Sequence, residues 1–99
     1  MPSLNADETA TLRRYYDNVI GLAYMTRQPI ESIPSLATVA ENADIRQLIR
    51  EDRLATARAR NGDEVYGGYH MAQRDTLLGL TKIMGIDTRG AQVTMPTRR

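Results

Sequence analysis

Residues 45–60 read IRQLIREDRLATARAR and decide the fold class of this 99-residue chain. In a helix of about 100° per residue, one face of this stretch gathers Ile45, Leu48, Ile49 and Ala59. Four arginines, called the arginine row here, fall on a strip about a third of a turn from that face: Arg46, Arg50, Arg53 and Arg60. The pattern therefore predicts a helix that packs on one face and carries positive charge on the next.

The segment before this helix predicts a longer one. Asn5 and Glu8 have the three-residue spacing of a capping box, in which each side chain accepts a backbone N–H bond. Apolar residues then recur at helical spacing over about 6–26. The principal ones are Leu12, Tyr15, Tyr16, Val19, Leu22 and Ala23.

Between these two helices the sequence predicts a loop and one short helix. Pro29 and Pro34 bracket the loop, because proline lacks an N–H and disfavours helix at the preceding residue. Ser35 is a suitable N-cap for a helix over about 36–41. Asp44, with a glutamine three residues later, is the predicted cap of the next helix.

The last predicted helix covers about 69–84, where apolar residues recur every three or four positions. Gly85 suits the left-handed position that ends a helix, and Ile86 supplies the apolar residue of a Schellman cap. Residues 87–99 lack periodicity and are predicted to form a flexible tail. The sequence thus predicts an all-α, irregular bundle of three main helices and one short one, over residues 1–86.

Composition limits the kinds of function that fit. The chain has no Cys, Phe or Trp and carries 13 basic and 12 acidic residues, a formal net charge of +1. Without cysteine there are no disulfides and no thiolate metal sites. No apolar run approaches the length of a membrane span, and no signal-peptide pattern opens the chain. We therefore expect a cytoplasmic protein without a membrane partner.

The arginine row is the candidate binding site. Planar guanidinium groups are suited to phosphate or carboxylate, so the row predicts contact with nucleic acid or with an acidic protein partner. The alternative is that these arginines only solvate the helix and form weak pairs with neighbouring acids.

The tyrosines are candidate interface residues, since a small core leaves some of them at its margin. Those considered are Tyr15, Tyr16, Tyr66 and Tyr69. Their number favours association of the chain with itself.

Catalytic chemistry has little support in the sequence. His70 is the only histidine and has no cysteine or cluster of carboxylates beside it, so we expect no metal site. Asp52 falls near the apolar face of its helix and is expected to be partly buried, paired with an arginine or a tyrosine hydroxyl. We predict no catalytic residue, no cofactor and no enzyme activity.

Two segments resemble the small terminase subunits of tailed bacteriophages: residues 42–49, NADIRQLI, and residues 74–86, RDTLLGLTKIMGI. The resemblance implies a helical, ring-forming, non-catalytic subunit that recognises viral DNA and presents it to a packaging motor. It would place such a protein in the cytoplasm of the host cell.

Two functional hypotheses follow. The first is a phage-type accessory subunit that associates with itself and contacts duplex DNA through the arginine row, as in DNA packaging. The second is a small helical regulator or inhibitor that binds a larger protein machine.

Overall fold

The described part of the chain contains four α-helices. The computed structural model describes residues 3–60 and 68–86, with side chains for 3–58 and 73–86. The helices are α1 Ala6–Met25, α2 Leu36–Ala40, α3 Ala43–Arg60 and α4 Gly68–Met84, with a 3₁₀ turn at Ile30–Ser32 between α1 and α2. The all-α prediction of three long helices and one short helix is confirmed.

The predicted tail, residues 87–99, lies outside the described residues. None of the described helices combines the length and apolar character that crossing a membrane requires.

Helix α1 begins with the predicted capping box. The Glu8 backbone N–H donates to Asn5 Oδ1 at 2.8 Å, and the Asn5 backbone N–H donates to Glu8 Oε1 at 2.9 Å. Two backbone donors that the helix leaves without a carbonyl partner are thereby satisfied.

Helix α1 ends in a Schellman motif with an unusual residue at its left-handed position. The Gln28 N–H donates to the Ala23 carbonyl at 2.9 Å, and the Arg27 N–H donates to the Tyr24 carbonyl at 3.1 Å. Arg27 has φ 60°, and it is the only described residue other than glycine with a positive φ. Glycine is the usual residue there, because a Cβ crowds the following carbonyl.

Helix α4 ends in the same motif with the expected residues. Gly85 has φ 75°, and the Ile86 N–H donates to the Thr81 carbonyl at 2.9 Å. Ile86 also packs against the core, as the Schellman motif favours. The predicted end of this helix is confirmed.

Helix α3 begins two residues before the predicted start, and its predicted cap was wrong. Asn42 is the cap: its Oδ1 accepts from the N–H groups of Asp44 and Ile45, at 2.9 and 3.1 Å. An asparagine oxygen in this position satisfies two otherwise unpaired donors, so Asp44 lies inside the first turn, where its charge suits the helix dipole.

The core forms where the apolar faces of α1, α3 and α4 meet, with α2 covering one side. Its buried members are Leu12, Tyr15, Val19, Leu22, Val39, Ile45, Ile49, Leu77, Leu80 and Met84. Gly79 allows α3 and α4 to approach closely, since a Cβ built there would lie 2.9 Å from Leu48 Cδ1. Packing of one face of each helix thus leaves a second face of α3 and of α4 toward solvent.

Candidate functional site

Two arginines of the row lie against the first turn of α1. Arg50 Nε lies 3.3 Å from Glu8 Oε2, and Arg50 Nη2 donates to the Ser3 carbonyl at 3.4 Å. Arg53 Nη1 donates to Thr11 Oγ1 at 3.0 Å and to the Asp7 carbonyl at 3.3 Å. These bonds tie α3 to α1.

The other two members of the row differ from this pair. Arg46 is half-buried, and its Nε is buried without a hydrogen-bond partner among the described residues. Arg60 belongs to α3, but its side chain lies outside the described part of the chain. The structure therefore brings Arg50 and Arg53 together at one helix junction and does not show a row of four free guanidinium groups.

The carboxyl group of Glu8 belongs both to the cap of α1 and to this junction. The N–H of Asn5 lowers the pKa of Glu8 below its usual value, with a further contribution from the Arg50 guanidinium. Charge-assisted hydrogen bonds of this kind favour the ionised carboxylate. The junction thus joins α1 and α3 through hydrogen bonds and the attraction of opposite charges.

Asp52 was predicted to be partly buried, and the structure buries it more completely, with 3% of its surface exposed. The Tyr15 hydroxyl donates to Asp52 Oδ1 at 2.6 Å, and Thr76 Oγ1 donates to the same oxygen at 3.1 Å. The prediction of a tyrosine hydroxyl partner is confirmed. Burial and the Asp52 carboxyl group raise the pKa of Tyr15. The cluster holds three helices together inside the core.

The expectation that Tyr15 lies at an interface was wrong, because its side chain is fully buried and its hydroxyl is bonded to Asp52. Tyr16 is half-buried and donates to the Pro34 carbonyl at 2.7 Å, which anchors the loop before α2. Tyr66 lies outside the described residues, and Tyr69 lies in α4 without a described side chain. Of the tyrosines whose side chains are described, Tyr24 is the exposed one, and the sequence did not single it out as an interface residue.

A groove runs along the surface between α3 and α4, and sequence reasoning missed it. Its main part has a volume of about 540 Å³. Leu48, Gly79 and Ile83 supply its apolar lining. A neighbouring depression of about 200 Å³ shares Leu48 and extends the groove to Ala55. The available signal was Gly79, because a glycine inside a helical apolar pattern can mark a close contact between two helices.

Acidic side chains flank this α3–α4 groove. Asp44 and Glu51 line its main part and Asp75 lines its extension, and all three are exposed. Lys82 is the basic residue among those that line it. The Gln47 amide donates to Glu51 Oε1 at 2.9 Å and orients that carboxyl group. The groove is therefore apolar at its centre and mainly acidic at its edge.

Within the part of the chain that the structure describes, no three histidine or carboxylate side chains gather in a way that would hold a metal ion. His70 lies in α4, but its side chain is outside that part. Comparisons with family models, with curated proteins and with solved structures find no match to this chain. The surfaces of the protein therefore carry the information about its function.

Proposed function

We propose that this chain is a non-enzymatic protein-binding module whose α3–α4 groove holds a basic, amphipathic helical segment of a larger protein. The observation that carries the proposal is the combination of an apolar floor, at Leu48 and Ile83, with the exposed acids Asp44 and Glu51 at its edge. This combination matches the way amphipathic helices bind in grooves, with apolar anchors inside and charges outside.

The dimensions of the groove support a helical occupant. From Asp44 to Ala55 the groove follows α3 over eleven residues, which is about 16 Å at the rise of an α-helix. Three turns of a bound helix span the same length, so anchors at positions i, i+4 and i+7 would all reach the apolar floor.

The charge of the groove supports a basic occupant. Three exposed acids and one lysine surround it, so a lysine-rich or arginine-rich segment gains electrostatic attraction and an acidic one is repelled. Electrostatic complementarity of this kind mainly sets the choice of partner and the rate of association.

Contact with DNA through the arginine row has weaker support. Arg50 and Arg53 already bond to α1, so moving either guanidinium to a phosphate would break the junction with Glu8, Asp7 or Thr11. The packaging role implied by the terminase resemblance accordingly stays a prediction, and DNA binding is an outcome of the test below.

The test is a fluorescence anisotropy titration with a labelled helical peptide that carries leucines at i, i+4 and i+7 and lysines on both flanks. We expect saturable binding, and much weaker binding of the same peptide with glutamates in place of the lysines. Ile83→Lys should weaken binding about tenfold through loss of an apolar contact. Leu54→Lys is the matched control, because Leu54 is 54% exposed on α3 and does not line the groove.

A second pair of variants tests the contribution of the acidic edge of the groove to peptide binding. Glu51→Lys should weaken binding of the lysine peptide by roughly threefold to tenfold, whereas Glu31→Lys, on the 3₁₀ turn, should leave it unchanged. Equal affinity for the lysine and glutamate peptides would overturn the proposal. The proposal would also be overturned if the protein bound neither peptide but bound a DNA duplex in a salt-sensitive manner. That result would favour the arginine row as the binding site.

A further inference from the structure

The geometry points to a second contact surface, on α1, at which two copies of this chain pair in antiparallel orientation. We call it the Gly21 face and define it by Asp17, Gly21, Tyr24, Met25 and Arg27. It lies apart from the residues that line the α3–α4 groove, so the inference goes beyond the proposed binding function.

Gly21 is the first observation behind this inference. It lies inside α1, where glycine weakens a helix because of its large conformational freedom. Nothing in the described fold requires a glycine there: Gly79 accommodates Leu48 and Gly85 has a positive φ, whereas a Cβ at Gly21 would meet no atom within 4 Å. The small side chain leaves the backbone of α1 open to close approach from outside.

Arg27 is the second observation. Its φ of 60° is unfavourable for a residue with a Cβ, and glycine would relieve it. The Arg27 guanidinium makes no hydrogen bond or ion pair with another described residue. Gly21 in α1 and Arg27 just after its C-terminal cap thus both reduce the stability of the fold, and neither makes a contact with another described residue that offsets the loss.

The apolar character of this face is the third observation. Tyr24 is 75% exposed and Met25 is 65% exposed, the two highest values among the large hydrophobic residues whose side chains the structure describes. Met25 also lines a groove of about 320 Å³ between α1 and α4, next to Gly21 and Leu77. Exposed apolar side chains beside an open groove are typical of an interface.

The charges on this face favour a second copy of the same chain as the occupant. Asp17 lies four residues before Gly21, about 6 Å along the helix, and Arg27 lies six residues after it, just beyond the end of α1. In an antiparallel pair of α1 helices that cross at Gly21, Asp17 of each copy lies near Arg27 of the other. Because a twofold axis repeats every contact, this pairing forms two ion pairs and buries both Tyr24–Met25 patches.

The experiment is sedimentation velocity of the full chain over a concentration series from low to high micromolar. We expect a reversible monomer–dimer equilibrium. Asp17→Arg should weaken dimerisation about tenfold, since it replaces two attractive pairs by two repulsive ones. Glu41→Arg, at an exposed site directly after α2 and outside both grooves, is the matched control and should leave the equilibrium unchanged.

A charge swap separates pairing from misfolding. Arg27→Asp should also weaken dimerisation, and aspartate is tolerated at a positive φ better than most residues. The double variant Asp17→Arg with Arg27→Asp should recover the dimer, because the two pairs form again with reversed signs. A wild-type chain that stays monomeric at every concentration would overturn the inference, and so would a double variant without recovery.

Gly21→Leu tests the close approach of the two helices. We expect it to abolish the dimer while circular dichroism shows the helical content and the melting temperature preserved or raised. A dimer of unchanged affinity in this variant would mean that the helices do not meet at Gly21.

Discussion

The Tyr15 hydroxyl donates a 2.6 Å hydrogen bond to Asp52 inside the core, and thereby joins α1 to α3. Thr76 brings α4 to the same carboxyl oxygen. A buried polar group is stabilising only when its hydrogen-bond partners are present, so this cluster makes the packing of the three helices specific. Removal of the Tyr15 hydroxyl is the first test of this role of the cluster.

Tyr15→Phe should lower the free energy of unfolding by about 1–3 kcal/mol, because Asp52 then remains buried with one donor fewer. Urea denaturation followed by circular dichroism measures this. Tyr24→Phe is the control, since the Tyr24 side chain is 75% exposed, and we expect it to change stability by less than about 0.5 kcal/mol. Equal effects of the two variants would contradict a structural role for the Tyr15 hydroxyl.

The same tyrosine should make stability depend on alkaline pH. Its pKa is raised above the ordinary value of 10.0, first by burial and then by Asp52, so the folded chain keeps a proton that the unfolded chain releases. The stabilisation is complete below pH 10 and is lost as the pH rises beyond it. The stability difference between the wild type and Tyr15→Phe should therefore shrink above pH 10. A constant difference up to the alkaline limit of folding would contradict this.

Glu8 should make stability depend on acidic pH. Its pKa is lowered from the ordinary value of 4.5, mainly by the Asn5 N–H, so its contribution is present above that value and is lost as the pH falls. Glu8→Gln should lower the melting temperature at neutral pH and flatten its decline between neutral and acidic pH. Glu31→Gln serves as the control. A melting profile of Glu8→Gln with the same acidic decline as the wild type would argue against a stabilising role for the ionised Glu8 carboxyl group.

Gly79→Val should destabilise the fold by about 1–3 kcal/mol, because the added side chain overlaps Leu48 across the contact of α3 and α4. Gly79→Ala should have a smaller effect, since only the mobile end of the Leu48 side chain has to move and alanine favours the helix. Chemical denaturation of both variants measures the difference. A valine variant as stable as the wild type would mean that the two helices are less close than described.

Two substitutions on the Gly21 face should increase the stability of the monomer. Gly21→Ala removes a helix-weakening glycine from open space and should add about 0.5–1 kcal/mol. Arg27→Gly relieves the unfavourable φ and should add about 0.5–1 kcal/mol. Denaturation at a concentration below that of dimer formation measures both. A loss of stability in both variants would show that these residues have a role within the monomer.

Local sequence signals predicted the helices with good accuracy. The capping box at Asn5 and Glu8 and the glycine stop at Gly85 act over a few residues, so the sequence contains everything that determines them. The start of α3 was misplaced because Asn42 and Asp44 are both good caps. Only the backbone geometry chooses between them.

The burial of Asp52 followed from helical periodicity, since the residue falls on the apolar side of α3, but the choice between an arginine and a tyrosine hydroxyl as its partner did not. The identity of that tyrosine did not follow. Tyr15 and Tyr16 are adjacent on α1, and tertiary packing turns one to Asp52 and the other to the Pro34 carbonyl.

By itself the sequence determined the all-α class, the three long helices and the presence of a charged strip on α3, because helix periodicity and capping are local properties. The tertiary structure alone decided what two arginines of that strip contact. Arg50 and Arg53 face the first turn of α1, a contact between residues more than forty positions apart in the chain. It also opened the α3–α4 groove, since a groove exists only between helices that have already packed.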